Sequence, residues 1–425
     1  MIAMSQEFRT VAIVGQGYVG LPVAMRAIDQ GYRVVGIDLD TRRIQMLERA
    51  ESFVEDISDA QLARAIKGGR YIPTAEYGKA AGFDVAVITV PTPLAEGLPD
   101  LSYIESAASS LAPLLTRGAT VVLESTTYPG TTEELLVPIL ENGSGLVAGV
   151  DFHVGYSPER IDPGNKTWGF VETPKVVSGI TPESLQHVQS FYDSLVNRTV
   201  PVSSPKEAEL TKLLENTFRH VNIALVNELA IFAHQLGVNV WESIEAAGTK
   251  PFGFMKFTPG PGVGGHCLPV DPSYLSWQVR RKLGQNFRFV ELANDVNNHM
   301  PDYVLQRVIA MLNQEGKALN GSKVFLVGLA YKKNSGDIRE SPSLRIIELL
   351  REYGADIVAV DDNVADYRWP TGVRRVGLTS HEVGASDIVI LVTDHDDLDL
   401  TVLDQPGTPV LDTKNRASGV NVHQL

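Results

Sequence analysis

Cysteine is nearly absent from this sequence of 425 residues, which has only one, Cys267. A single cysteine excludes an intramolecular disulfide framework. His266 is adjacent to it, and no spaced cluster of histidine and cysteine accompanies the pair, so the sequence predicts no metal site. A free thiol has a pKa of about 8.5 and is mostly protonated at neutral pH. Cys267 is therefore either a small buried hydrophobe or a nucleophile whose neighbours favour the thiolate.

Positive charge is scarce as well, since 37 lysine and arginine residues stand against 51 acidic residues and the formal net charge is −14. A nucleic-acid surface requires clustered lysine and arginine, so we expect no nucleic-acid partner. The sequence lacks apolar runs of about 20 residues, which could span a membrane, and it lacks the pattern of a secretion signal. We expect a cytoplasmic protein with no membrane partner, and the length predicts two or three domains.

A strand, a glycine turn, a helix and a second strand are indicated at residues 11–40. Gly15, Gly17 and Gly20 have the Gly-x-Gly-x-x-Gly spacing, which permits a tight turn, close approach of a pyrophosphate and close packing of helix on strand. Asp38 ends the second strand 18 positions after Gly20, where a carboxylate accepts hydrogen bonds from ribose hydroxyls. The pattern predicts a dinucleotide site that prefers NAD to NADP.

The C-terminal part of the chain repeats this architecture. Residues 323–337 and 354–362 resemble the first strand with its turn and the second strand. Later strands have counterparts as well, 84–93 with 386–395 and 119–125 with 408–414. We therefore predict an α/β fold with two doubly wound, Rossmann-like domains.

The first connection of the second copy is longer than that of the first. Gly15 and Asp38 are 23 positions apart, whereas Gly328 and Asp361 are 33 apart. Because the longer connection lacks the glycine triplet, we expect no second NAD there. Its charged residues are either solvated or engage another phosphate ligand, and they are Lys332, Lys333, Asp337, Arg339 and Glu340.

A helical region is indicated between the two copies. Residues 206–237 have apolar side chains at three- and four-residue intervals, which predicts a helix that ends near Gly237. Lys212 and Asn216 lie four positions apart and therefore share one face of it. A homodimer through this region is the default expectation, and a higher homo-oligomer stays open. The predicted domains are an NAD-binding domain at 1–205, a central helical dimerisation region at 206–300 and a second Rossmann-like domain at 301–425.

Several motifs together carry a resemblance to a known family. Besides the glycine triplet and the helix with Lys212 and Asn216, they are ESTTYPGTT at 124–132, YSPERIDPGN at 156–165, PGPGVGGHCLPVDP at 259–272 and GLAYKKNSGDIRESPS at 328–343. In this order and spacing the sequence resembles the nucleotide-sugar 6-dehydrogenases, which act on UDP-glucose or UDP-N-acetylhexosamines. The resemblance implies an N-terminal NAD domain, a helical dimerisation core and a C-terminal domain that binds the nucleotide of a UDP-sugar.

The implied reaction is a four-electron oxidation of the sugar C6 hydroxyl to a carboxylate, with two NAD and no free aldehyde. Asp271 and Lys212 are implied to organise the proton of the first oxidation. Cys267, in a run whose glycines and prolines predict tight turns, captures the aldehyde as a thiohemiacetal, which the second oxidation converts to a thioester. Glu159 is implied as the base for hydrolysis of the thioester, while Lys212 and Asn216 stabilise the oxyanion.

The resemblance also implies binding residues. For NAD they are Gly15, Gly17, Tyr18, Val19, Gly20, Asp38, Arg43, Thr92 and Thr126. For the substrate they are Glu159, Arg160, Lys212, Asn216, Gly264, His266, Lys333 and Arg339. Thr126 matches a position near the nicotinamide and the catalytic water; its alternative role is a helix N-cap or turn threonine. His266 is implied to orient the substrate or to support the structure rather than to act in catalysis.

The residues around Cys267 bear on the choice of sugar. The GGHC form at 264–267, with residues 156–165 and 249–262, resembles the UDP-N-acetylhexosamine branch, above all the UDP-N-acetylglucosamine 6-dehydrogenases. Lys256 stands where that branch has proline, and it is either solvated or the mark of a different sugar. UDP-glucose, UDP-N-acetylmannosamine and a modified nucleotide sugar stay open as substrates.

Two other classes of protein stay open. A two-electron dehydrogenase would share the glycine triplet but would need neither the segment around Cys267 nor a second α/β domain. A non-catalytic NAD-binding protein would not need Cys267, Lys212, Asn216 and Asp271 together. Replacing Cys267 separates the classes, since only the four-electron mechanism then loses net turnover while nucleotide binding is retained.

Overall fold

The structure is a computed structural model that describes residues 10–54, 56–95, 98–161, 167–265 and 267–425. The chain forms two compact units, Met1–Glu215 and Asn216–Leu425. Each unit has its own parallel sheet with helices packed on it, so the predicted α/β fold with two Rossmann-like sheets and a central helical region is confirmed. No helix in these described ranges is long and apolar enough to cross a membrane.

The first unit alternates strands and helices. Its strands are β1 (Thr10–Val14), β2 (Arg33–Ile37), β3 (Tyr71–Thr74), β4 (Val85–Ile88), β5 (Leu94–Ala95), β6 (Leu98–Pro99), β7 (Thr120–Leu123), β8 (His153–Tyr156), β9 (Lys175–Val177) and β10 (Thr199–Pro201). Its helices are α1 (Gly20–Asp29), α2 (Thr41–Glu48), α3 (Asp59–Lys67), α4 (Ser102–Leu111), α5 (Val137–Ser144) and α6 (Pro182–Asp193). Shorter helical turns span Tyr77–Ala80, Ala112–Leu114 and Thr132–Leu136. The long helix α7 (Pro205–Gln235) contains the boundary between the units.

Six strands of the first unit form one sheet in the order β3-β2-β1-β4-β7-β8, and every pair is parallel. Parallel sheets carry helices on both faces, which explains why β4 and β7 are buried along their whole length. The strand order reverses at β1, and the crevice outside the carboxyl ends of strands at such a point is where ligands bind. The fold thus predicts a site beside the ends of β1 and β4.

The second unit is built on the same plan. Its helices are α8 (Val240–Gly248), α9 (Cys267–Leu283), α10 (Arg288–Gln314), α11 (Pro342–Glu352) and α12 (Ser380–Gly384), with short turns at Asp366–Arg368 and Leu400–Leu403. Its strands are β11 (Lys323–Val327), β12 (Asp356–Val360), β13 (Arg374–Arg375), β14 (Ile388–Leu391), β15 (Val410–Asp412) and β16 (Val422–Gln424). The sheet order, β13-β12-β11-β14-β15-β16, repeats that of the first sheet. Separate apolar clusters cover its two faces.

One part of the predicted secondary structure was wrong. The glycines and prolines of 259–272 predicted turns throughout, but helix α9 begins at Cys267. Pro269 lies in the first turn of α9, where backbone N–H groups have no partner within the helix, so its missing N–H costs nothing there. Pro272 lies further inside the helix and removes one hydrogen bond. Cys267 and Asp271 are therefore one helical turn apart.

The predicted three-domain partition stays a prediction. Its first boundary, 205/206, coincides with the start of α7, which begins at Pro205 and ends at Gln235. Gly237, expected to end this helix, has a positive φ of 68°, the conformation typical of a glycine just past a helix. The second boundary, 300/301, falls inside α10.

Candidate active site

The glycine turn of the first unit runs from the end of β1 to the start of α1. Gly15 has φ of 95°, and a Cβ there would lie 2.7 Å from the carbonyl oxygen of Thr89. A Cβ at Gly20 would overlap the carbonyl oxygen of Gly15 and lie 2.5 Å from Thr89 Oγ1. By contrast, the Cβ position of Gly17 has no atom within 4 Å from any described residue beyond its two chain neighbours. Two glycines therefore close the turn, and the third leaves space for a ligand at the N-terminus of α1.

Asp38 follows β2 and is nearly buried. Its Oδ2 accepts a hydrogen bond of 2.9 Å from the Gln16 backbone N–H, and its Oδ1 accepts one of 2.9 Å from Asp40. Arg43 pairs with the same carboxylate at 3.3 Å. Asp38 thus stabilises the glycine turn. Its negative charge beside the turn can accept hydrogen bonds from ribose hydroxyls and would repel a phosphate on the ribose. These residues fit NAD.

The other residues assigned to NAD lie near the same edge of the sheet. Val19 is the residue before α1, and Tyr18 packs against the core under the turn. Thr92 is buried beyond the end of β4. Thr126 follows β7 and is not a helix N-cap, because the next helical turn begins at Thr132.

The segment after Thr126 is held by an acid on α7. Glu209 is fully buried and accepts hydrogen bonds from the N–H of Gly130 at 2.5 Å and from the N–H and hydroxyl of Thr132 at 2.9 and 2.7 Å. Sequence reasoning missed Glu209, whose signal was only a charged residue on a helix. Its role is to fix the connection that carries Thr126.

Glu159 lies three positions after β8, and 11% of its side chain is exposed. Lys175 Nζ is 3.5 Å from Glu159 Oε2, and the backbone N–H of Ile161 donates to Oε1. Burial raises the pKa of Glu159, but the positive charge of Lys175, the Ile161 amide and the charge of Lys212 outweigh burial, and the pKa lies below its usual value. Glu159 is therefore held as a carboxylate at neutral pH.

Arg160, which was predicted to bind the substrate, already makes an ion pair and a hydrogen bond within the protein. Its guanidinium pairs with Glu215 on α7 at 2.6 Å and donates to the carbonyl oxygen of Pro174 at 2.6 Å. These contacts tie the segment after β8 to the start of β9 and to α7. The structure thus gives Arg160 an organising contact within the first unit.

Helix α7 carries Lys212 and Asn216, and both side chains are buried. Asn216 Nδ2 donates a hydrogen bond of 2.6 Å to Asp271 Oδ2 on α9, and Asp271 has no exposed surface. The structure therefore brings together two residues that are 55 positions apart in the sequence. Cys267 begins α9 one turn before Asp271. The side chain of Cys267 and the whole of His266 lie outside the described residues.

The glycines before Cys267 pack against the long connection after β11. The Gly265 N–H donates to the Arg339 carbonyl oxygen at 3.0 Å, and a Cβ on Gly264 would lie 2.7 Å from the Tyr331 side chain. The two cations assigned to the substrate on this connection are paired with acids. Lys333 pairs with Asp396 at 2.7 Å, and Arg339 pairs with Asp337 at 2.6 Å.

The second sheet repeats the turn and the acid of the first. Gly328 and Leu329 correspond to Gly15 and Gln16, and the acid at the end of the second strand is Asp361 in place of Asp38. Gly328 has φ of 85°, and the N–H of Leu329 donates to Asp361 Oδ2 at 2.7 Å. That oxygen also accepts from Ala330 at 2.9 Å and lies 3.0 Å from His395 Nε2. This carboxylate is fully buried, and its other oxygen accepts from the Asn363 N–H at 3.1 Å. A ribose therefore has no access to it, which supports the prediction that the second copy does not hold NAD.

Replacing Asp361 by asparagine is expected to destabilise the protein by about 2 kcal/mol at neutral pH, because it removes the charged acceptor of buried hydrogen bonds from Leu329, Ala330 and His395. Burial raises the pKa of Asp361, but hydrogen bonds from His395, Leu329 and Ala330 outweigh burial and lower it. The carboxylate therefore stabilises the fold above its unfolded-state pKa of 3.8, and this contribution is lost as the pH falls through the folded-state pKa. Urea unfolding of the wild type and of Asp361→Asn should give a difference in the free energy of unfolding that shrinks below pH 3.8. A difference that does not change with pH would contradict this prediction.

Sequence reasoning missed further charged residues at strand ends, two of them buried and the third, Lys414, half-buried. Glu124 follows β7, Lys175 begins β9 and Lys414 follows β15. A Cβ on Gly260 would lie 3.5 Å from Lys414 Nζ, and burial lowers the pKa of this lysine, with Asp394 and Asp412 acting in the opposite direction. For Glu124 the available signal was a charged residue directly after a strand of buried residues.

Among the described residues, one group of side chains has the composition of a metal site, His153, Glu183 and His187. The two imidazole rings are stacked, with centroids 3.7 Å apart and planes 14° from parallel. A metal ion binds an imidazole nitrogen in the plane of its ring, and two nearly parallel planes at this distance share no such position. The group is therefore no evidence for a metal centre.

The fold and the glycine turn define a class, the NAD-dependent dehydrogenases with two doubly wound sheets. Residues 9–196 match the NAD binding domain, residues 206–299 the central domain and residues 325–418 the UDP binding domain of the UDP-glucose/GDP-mannose dehydrogenase family. The chain belongs to this family. It is an NAD-dependent nucleotide-sugar 6-dehydrogenase, and the predicted cofactor is confirmed.

The chain aligns over more than nine tenths of its length with several relatives. It is 40% identical to the CapL protein of Staphylococcus aureus, over 92% of this chain and 90% of that one. It is 38% identical to the UDP-N-acetyl-D-glucosamine 6-dehydrogenase of Pseudomonas aeruginosa, over 91% and 90%. The solved UDP-D-ManNAc dehydrogenase of Pyrococcus horikoshii has 33% identity and a TM-score of 0.88, over 98% of each chain.

Proposed function

We propose that this protein oxidises the C6 hydroxyl of a UDP-N-acetylhexosamine to the carboxylate in a four-electron reaction, with UDP-N-acetylglucosamine as the preferred substrate. The observation that carries the proposal is the buried hydrogen bond between Asn216 and Asp271 at the start of the helix that Cys267 begins. Asp271, the acceptor of this bond, lies one helical turn after Cys267, the single cysteine of the sequence.

Asp271 and Lys212 receive and hold the proton of the C6 hydroxyl in the first oxidation. NAD supplies the hydride acceptor for both oxidations. Asn216 orients Asp271, since its amide donates to one carboxylate oxygen of that residue. Cys267 lies at the N-terminus of α9, and the unpaired N–H groups of a helix N-terminus favour a thiolate. The thiolate captures the aldehyde, and the second oxidation leaves a thioester.

Glu159 is the base that hydrolyses the thioester. A water molecule gives its proton to Glu159 while its oxygen bonds to the acyl carbon; the C–S bond then breaks and Cys267 leaves as a thiolate. The lowered pKa of Glu159 keeps it ionised for this step. Lys212 and Asn216 stabilise the oxyanion, a contribution of about 3 kcal/mol for one well-placed donor.

The choice of sugar is supported by the GGHC form and by the 38% identity to a UDP-N-acetyl-D-glucosamine 6-dehydrogenase. UDP-N-acetylmannosamine is the second candidate, because a dehydrogenase of that sugar has a TM-score of 0.88 to this chain. Lys256 pairs with Glu245, and both side chains are exposed, which favours a surface role for this unusual lysine.

The NADH released per sugar consumed tests the proposal. The purified protein is given NAD and, separately, UDP-N-acetylglucosamine, UDP-N-acetylmannosamine or UDP-glucose. We expect two NADH per molecule of UDP-N-acetylglucosamine. One NADH per sugar would contradict the thioester route, and two NADH with another of these sugars would correct the substrate alone.

We also propose that the protein is a homodimer through α7. Phe218, Leu225, Leu229, Phe232 and Leu236 recur at helical spacing on one face, and each is between 45% and 77% exposed. A contiguous apolar face of this kind marks an interaction surface. The symmetric dimer is the default for such a surface.

Replacing Leu229 by aspartate is expected to produce monomers, because the change places a charge in the centre of this apolar face. Light scattering coupled to size-exclusion chromatography measures the mass. Val238→Asp, at another exposed apolar residue beyond the end of α7, is the matched control and should leave the mass unchanged. A wild-type protein that is already monomeric would refute the proposed dimer.

A further inference from the structure

Two carboxylates share one lysine in the first unit. Lys175 Nζ contacts Glu124 Oε1 on one side and lies 3.5 Å from Glu159 Oε2 on the other. Tyr192 on α6 donates a hydrogen bond of 2.8 Å to the second oxygen of Glu124. The lysine side chain is 4% exposed and that of Glu124 is fully buried. Each group comes from a different element, so the contact exists only in the folded sheet.

The immediate environment of the lysine excludes water. The Phe170 and Tyr192 rings lie 5.7 and 5.2 Å from Nζ, within the range of a cation–π contact. In such a place an uncompensated charge is strongly unfavourable. Glu159 is stabilised by the charge of Lys212 as well as by Lys175, so Glu124 is the carboxyl group on which a proton relieves the cost of burial.

The two carboxyl groups differ in the direction of their pKa shifts. Burial raises the pKa of Glu124 to about 7; Lys175 opposes this and the charge of Glu159 adds to it. For Glu159, the lysine, the Ile161 amide and Lys212 outweigh burial and lower the pKa. Glu124 is thus the group that exchanges the proton, while Glu159 remains a carboxylate.

We propose that Lys175 is the positioning residue for thioester hydrolysis, holding Glu159 as an oriented carboxylate, and that Glu124 anchors Lys175 from the other side. The inference rests on the proposed function, since it takes Glu159 as the base. As the pH rises and Glu124 ionises, Glu124 competes with Glu159 for the ammonium. The hydrolysis step should therefore have a pH dependence that belongs to Glu124.

The test uses Lys175→Met, which retains an apolar stem but no charge. Both oxidations precede hydrolysis, so the variant should release two NADH per active site in a burst and then turn over about 100-fold more slowly than wild type. Mass spectrometry should find the acyl group on Cys267. Lys175→Arg, which keeps the positive charge, should restore much of the steady-state rate.

Lys323→Met is the matched control. Lys323 is also the first residue of a parallel strand and pairs with a glutamate, Glu382, at 2.9 Å, but it belongs to the sheet of the second unit. Its loss should lower stability without accumulation of the acyl-enzyme. If Lys175→Met does not fold, the double variant Glu124→Gln/Lys175→Met removes both charges of the pair and should show the same burst and adduct.

Glu124→Gln is an independent test, because the glutamine oxygen can still accept from Lys175 and its NH2 group can donate to the Tyr192 hydroxyl, while the group that ionises is gone. The inflection near pH 7 in the hydrolysis rate should disappear in this variant. An unchanged pH profile, or Lys175 variants that hydrolyse the acyl group at the wild-type rate, would overturn the inference. If wild type itself does not release two NADH per sugar, the proposed function fails instead, whatever the variants do.

Discussion

Replacing Cys267 by alanine is expected to reduce net oxidation of the sugar by at least about 10³-fold while the affinity for NAD stays unchanged. The reason is chemical: without a thiolate the aldehyde has no covalent acceptor, and no thioester forms for the second oxidation. The glycine turn and Asp38, which fit NAD, lie in the first unit and do not involve this residue. NADH release and calorimetric NAD binding measure the two properties separately.

Cys267→Ser is the companion variant, since a hydroxyl preserves size but is a far weaker nucleophile at neutral pH. It should resemble the alanine variant in net turnover. A variant that still releases NADH at the wild-type rate would identify a two-electron dehydrogenase. Loss of NAD binding in both variants would mean that the replacement disturbs the fold rather than the chemistry.

Replacing Gly20 by alanine is expected to destabilise the protein by about 3 kcal/mol and to lower the NAD affinity at least about 100-fold. Its Cβ would overlap the carbonyl oxygen of Gly15 and lie 2.5 Å from Thr89 Oγ1, so the turn must open. Thermal unfolding without nucleotide measures the first effect, and calorimetric titration with NAD measures the second.

Gly17→Ala is the matched control for this prediction. Apart from its chain neighbours, no residue that the structure describes has an atom within 4 Å of its Cβ position, so stability should change by less than about 0.5 kcal/mol. NAD affinity should still fall, because the new methyl group occupies the space that the turn leaves for the pyrophosphate. Equal losses of stability in the two variants would contradict the assignment of a closing glycine and an open one.

Local patterns predicted the parts of the site that depend on short spacings. The glycine triplet and Asp38 follow from the geometry of one strand, turn, helix and strand, and the structure joins them through the Gln16 N–H. Lys212 and Asn216 share a helix face because residues four apart always do. The repeated sheet was visible because buried parallel strands have nearly continuous apolar sequences.

Other features had no local signal. Glu124 and Lys175 are 51 positions apart, and Glu124 and Tyr192 are 68 apart. Lys333 and Arg339 predicted a basic connection, yet the structure pairs each of them with an aspartate. The turn prediction around Cys267 was wrong because a proline in the first turn of a helix has the same composition signal as a proline in a loop.

The sequence by itself determined the class of fold, the cofactor and the family, since each rests on residue types at fixed spacings along the chain. Only the tertiary structure decided which charges are paired and which carboxyl group is held ionised. Glu159 and Glu124 are chemically alike, and their difference comes from burial, from a shared lysine and from one tyrosine hydroxyl. Desolvation and long-range pairing are properties of the packed chain, and for this reason no local pattern records them.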